Sequence, residues 1–147
     1  MIKLNLDEMR ARADHVVELC RKHAISPFFS TDTVQPAGWQ NIHGYAYPAK
    51  HQRWIKVMRY WGPLSYMTAL HEIGHVILGE RKDHTPQTVV ANEEAAWKWA
   101  FKHAKFAPPY AERFRRFCLG NYALSYGLRP EYRAFRDYVG IRIAKDE

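Results

Sequence analysis

TALHEIGHVILGE, residues Thr68–Glu80, places His71 and His75 four positions apart with Glu72 beside the first of them. On a helix, positions i and i+4 share one face, so both imidazoles reach toward one point. Two imidazoles and a carboxylate within one turn are the donors a metal ion uses. Glu72 stands where a base takes a proton from a water that the metal activates. Without a metal to use them, burying these groups together is expensive. Met67, Leu70, His71, Gly74, Ile77 and Leu78 share a broad face, so the helix has an inner side. Pro63 suits its first turn and Gly79 its stop, which sets its span at 64–78. Gly74, between the histidines, leaves room for another backbone to come close.

The chain before this helix divides in two. Asn5 is a good N-cap with Glu8 at the capping-box position, and Leu4 and Met9 can form a hydrophobic staple. Met9, Ala13, Val16 or Val17, and Cys20 form a stripe, so a first helix is expected over 5–24. Residues 25–62 are punctuated by Pro27, Pro36, Gly38, Gly44, Pro48 and Gly62. Asn41–Tyr47 and Arg53–Arg59 read as a hairpin, and in the second run Trp54, Lys56 and Met58 alternate with Ile55, Val57 and Arg59. The expected fold is α+β: mainly helical, with a small antiparallel sheet within residues 25–60 preceding the histidine helix. Arg53–Met58 is placed to offer backbone hydrogen bonds to an extended substrate.

After the histidine helix, Pro86 opens a helix that runs to about Lys105. Tyr110–Leu119 reads as helical, with Phe114, Phe117 and Cys118 inward, and Glu131–Ala144 as a last helix. No repeat or linker divides the 147 residues, so one domain over 1–147 is expected.

The composition, 47% hydrophobic and 14% aromatic, excludes a disordered chain. No apolar run reaches the roughly 18 residues of a membrane span, and the N-terminus lacks a signal-peptide core. With Cys20 and Cys118 read as buried thiols, a cytoplasmic location without membrane contact is expected. The net charge is +7, and residues 101–147 carry ten Lys/Arg against five Asp/Glu. A basic C-terminal third can recruit nucleic acid. Arg113, Arg115, Arg116, Arg129, Arg133 and Arg136, interleaved with aromatics, are the residues for it.

A zinc site needs a third protein ligand. The spacing that puts a histidine six residues after the second one meets Arg81 here, which excludes a metzincin. Glu93 and Glu94 follow at 18 and 19 residues. Glu93 shares a helix face with Val89, Ala96, Trp97 and Ala100, whereas Glu94 points about 100° away, toward Lys98. Glu93 is the preferred ligand, with Glu94 and His84 as alternatives. Tyr110, Tyr122, Tyr126 and His103 are candidates for stabilising an oxyanion.

The run from the hairpin through TALHEIGHVILGE to NEEAAWKWA resembles the ImmA/IrrE-like HExxH metallopeptidases, a gluzincin-type group. Those proteins show a short strand, a helix with HE[LI]GH, and then a helix with an E-x-E-A-N-x-F-A-like pattern. Aligning the final aromatic-Ala with Trp99-Ala100 puts the ligand glutamate on Glu93. The resemblance covers about residues 40–105. It implies a zinc-dependent peptidase of α+β architecture with Zn2+ on His71, His75 and Glu93 and Glu72 as the catalytic base. It also implies protein substrates inside the cell, regulators of phages or mobile elements among them. The chain departs from the pattern at Ala95, where Glu is common, and at Trp97, where Asn or Asp often supports a ligating histidine. A zinc-binding module without catalysis is the alternative that these departures raise.

Overall fold

In a computed structural model, residues 5–29, 44–49, 52–57, 62–79 and 85–125 are described. Helix α1 spans Leu6–Lys22, strand β1 Ser26–Phe29, β2 Gly44–Ala49 and β3 Gln52–Val57. Helix α2 spans Pro63–Leu78, α3 Pro86–His103 and α4 Ala111–Ser125. The chain is α+β and mostly helical. The helix expected over Glu131–Ala144 lies outside the described residues.

Local signals account for the helix ends. Asn5 Oδ1 accepts from the Asp7 and Glu8 amides at 3.1 and 3.2 Å, satisfying donors that the first turn leaves open. Within α1, Val16 and Cys20 turn inward, while Val17 is exposed. Thr85 Oγ1 accepts from the Thr88 amide at 3.2 Å and caps α3, with Pro86 at its first position. Gly79 ends α2 at φ 67°, a left-handed conformation that favours glycine, and its amide reaches the His75 carbonyl. Gly120 does not interrupt α4, which runs on to Ser125.

The sheet corrects the antiparallel expectation. Its order is β1–β3–β2. β2 and β3 pair antiparallel, with Tyr47 opposite Trp54, but β1 pairs with β3 in parallel, with Pro27 opposite Ile55. Alternation along a strand is the same for either direction, so the pattern could not show this. The order itself has a chemical reason. Proline donates no ladder hydrogen bond, and Pro27 and Pro48 lie on the two outer strands. The proline-free β3 takes the centre, with Ile55 and Val57 buried and Lys56 exposed. Being paired on both sides, β3 has no edge to offer a substrate; among the described residues the outer strands are β1 and β2.

Helix α2 is the hub. It packs against α1, β2, β3, α3 and α4, and every residue from Ser65 to Val76 is buried. A helix enclosed on all sides loses its simple two-faced pattern. Its last turn emerges from the core, and Leu78, expected on the inner face, is 52% exposed. Among the described residues no helix is long and apolar enough to cross a membrane.

A buried polar tie fastens α1 to this hub. The Tyr66 hydroxyl lies 2.7 Å from His15 Nδ1 and accepts the Lys105 amide proton at 2.9 Å. The contact is buried and joins α1 to α2. Burial, then the nearby Lys105 charge, hold the His15 pKa below 6.5, with Glu18 opposing and His103 adding to the lowering. The unfolded chain therefore binds a proton near pH 6.5 that the folded chain resists, and stability falls as pH drops from 6.5 toward the folded value. Urea unfolding at pH 7.5 and 5.5 is expected to show this loss in wild type and a smaller one in His15→Phe. Equal losses in both would contradict it.

Candidate metal centre

The site is built where α2 and α3 touch. A Cβ added to Gly74 would stand 2.9 Å from the Ala96 carbonyl oxygen and 3.2 Å from its Cα. The obstacle is backbone and cannot swing aside, so glycine permits the approach. About one turn before Ala96 on α3 is Glu93; on α2, His71 lies about one turn before Gly74 and His75 directly follows it. In Gly74→Ala the gain in helix propensity, about 1 kcal/mol, is opposed by overpacking of about 1–3 kcal/mol. Rigid backbone makes the second effect win. Lower stability in urea and weaker metal binding are expected; a variant as stable as wild type would contradict the assignment.

At this crossing His71 Nε2 lies 2.7 Å from Glu93 Oε2, and His75 Nε2 lies 3.1 Å from Glu93 Oε1. The two Nε2 atoms are 3.1 Å apart, with the rings inclined at 81°. The donor atoms all fall within 4.8 Å of one another, and the three residues could hold a metal ion. All three are buried, and so is Glu72. Glu93 Oε2, although 2.7 Å from His71 Nε2, has no well-aligned hydrogen bond among the described residues.

The electrostatics favour a carboxylate. Burial, the largest single influence on Glu93, pushes its pKa up, but His71 and His75 together outweigh it and hold the group well below the usual carboxyl range. Burial, followed by the charges of Glu93 and Glu72, raises the Cys118 thiol, so Cys118 is a neutral thiol within electrostatic reach of both carboxylates. Nothing in the spacing of the chain pointed to this neighbour on α4.

Other expected site residues fall elsewhere. Glu94 turns away, and with Ala91, Ala95, Lys98, Phe101 and Arg115 it lines a groove between α3 and α4. His103 is ten residues beyond Glu93 on α3, about 15 Å along the axis. It stacks on Trp99 at 4.1 Å and its Nδ1 meets the Trp99 carbonyl oxygen, so it is not at the centre. Tyr110 is 41% exposed at the entry to α4. Tyr122 lies in the last turns of α4, and His84 and Tyr126 fall outside the described residues. Of the arginines read as a basic face, Arg115 and Arg116 pair with Glu112, and Arg129, Arg133 and Arg136 lie outside the described part.

Trp97, noted in the sequence as standing where a polar supporter was expected, stacks on His71 with ring centroids 4.2 Å apart. Comparison with protein-family models, with curated proteins and with solved structures yields no match.

Proposed function

We propose that this chain is a zinc-dependent metallopeptidase in which His71, His75 and Glu93 hold the ion and Glu72 is the catalytic base. The observation that carries this reading is the buried cluster of His71 Nε2, His75 Nε2 and the Glu93 carboxylate. The two nitrogens are 3.1 Å apart, with His71 Nε2 2.7 Å from Oε2 and His75 Nε2 3.1 Å from Oε1. Metal–ligand bonds of about 2.0–2.1 Å in a tetrahedron put neighbouring donors about 3.3 Å apart, close to these values. Two imidazoles and one carboxylate suit zinc and leave a fourth position for a reactant. The HEIGH motif and its resemblance to the ImmA/IrrE-like peptidases support hydrolysis of a peptide bond in an intracellular protein.

Zinc, when bound, supplies Lewis acidity, which makes a hydrolytic water easier to deprotonate and a carbonyl easier to attack. Glu72 adjoins His71 on α2 and is buried, so its carboxylate meets that water in a medium where charge acts strongly. It takes the proton during attack and returns it to the leaving amine. His71 and His75, one turn apart on a rigid enclosed helix, fix the geometry within which this happens.

The test is metal analysis of the purified full chain, followed by incubation of the zinc-loaded protein with a fluorogenic peptide library. One equivalent of zinc and cleavage are expected. Protein that neither retains nor takes up zinc would overturn the proposal. Zinc bound without cleavage of any library member would leave a zinc-binding module.

A further inference from the structure

Trp97 follows Glu93 by one turn on α3 and is 2% exposed. Its indole lies nearly parallel to the His71 imidazole, at 27° with centroids 4.2 Å apart. His71 directs Nε2 toward Glu93 and His75, which leaves Nδ1 as its second nitrogen. Among the described residues that buried Nδ1 has no hydrogen-bond partner, and Trp97 Nε1 is in the same condition. A ligating histidine ordinarily donates its second N–H to a carboxylate, a carbonyl or a water, and this sets the tilt of the ring. His71 has an aromatic face beside it instead.

We propose that Trp97 is a positioning residue for His71, its indole face taking the place of a hydrogen bond at Nδ1 in fixing the imidazole plane and favouring the metal-loaded state. The inference rests on the metal-centre reading above. The face of an indole is the negative part of its quadrupole. An imidazole that has given its lone pair to a cation carries more positive charge than a free one, so the stacking strengthens on loading, as in a cation–π pair. The indole is itself held: Phe114 of α4 meets it edge-on at 5.7 Å and 89°, and Phe101 packs at 6.3 Å. One helix thus supplies the third ligand through Glu93 and orients the first through Trp97, one turn apart.

The experiment uses the full chain as wild type, Trp97→Phe and Trp97→Leu, with Trp97→Met measured in place of the Leu variant if that does not fold. Three quantities are read: zinc affinity by competition with a chromophoric chelator, the visible bands of the cobalt-loaded protein, and the thermal midpoint of the metal-free protein. Loss of an outer partner of a ligating histidine costs about 10–100-fold in metal affinity. The Leu (or Met) variant is expected to lose at least about tenfold and to shift the cobalt bands, which report ligand geometry. The Phe variant, which keeps a face, is expected to hold both near wild type although its metal-free midpoint also falls. Phe and Leu variants that lose affinity in step with their metal-free midpoints would assign Trp97 to packing and overturn the proposal. So would a Leu variant with wild-type affinity and bands. Wild type that binds neither zinc nor cobalt overturns the metal-centre reading and this proposal together, so the two failures are told apart.

Discussion

Glu93→Ala is expected to lower zinc affinity by more than about 100-fold, beyond what loss of an outer-shell partner costs. Glu94→Ala is expected to leave it within a few-fold of wild type. The two residues are adjacent in sequence, yet only Glu93 is buried against both imidazoles, at 2.7 and 3.1 Å. Glu94 lines the groove on the other side of α3. On the proposed reading, removing Glu93 takes away a ligand and also the charge that accompanies a dication into a buried site, so the loss is compound. Chelator competition on both variants is the measurement. Equal affinities for the two variants would show that α3 contributes no ligand. Glu93→Gln separates the two contributions: it keeps the shape and removes the charge, and an affinity between wild type and Glu93→Ala is expected.

Glu72→Gln should keep its metal and lose its activity. General-base catalysis contributes typically 10²–10⁴-fold, or about 3–5 kcal/mol in the barrier, and an amide cannot take the proton. Because Glu72 is not one of the three converging donors, zinc content and affinity are expected to match wild type. Hydrolysis of the fluorogenic library by the zinc-loaded variant is the readout. Undiminished turnover would remove Glu72 from the mechanism, and loss of zinc along with activity would make it a ligand instead.

Much of this centre was legible because it depends on short spacings. His71 and His75 are one turn apart, so helical geometry alone puts both imidazoles on one side. The choice of Glu93 over its neighbour followed from the apolar companions of its face, Val89, Ala96, Trp97 and Ala100. The cap at Asn5, the opening of α3 at Pro86 and the stop at Gly79 were legible for the same reason, since each acts within a few residues of itself. The parallel pairing of β1 with β3 was not legible, because apolar alternation says which face is buried and nothing about the partner's direction. That pairing also moved the strand expected to receive substrate to the middle of the sheet. The tie between His15 and Tyr66 spans 51 residues, and no local pattern announces such a contact.

What the sequence by itself determined, then, is the group His71, His75 and Glu93, which could hold a metal ion, and the elements that carry it: HEIGH on one helix, Glu93 on the next, and glycine where the two must meet. Those features are encoded in periodicity and residue type, which act over one or two turns. Only the tertiary structure decided that α2 is enclosed on every side, that Trp97 lies flat on His71, and that Cys118 comes within reach of the two carboxylates. Those relations depend on how separate helices pack, and packing is settled by the whole core at once.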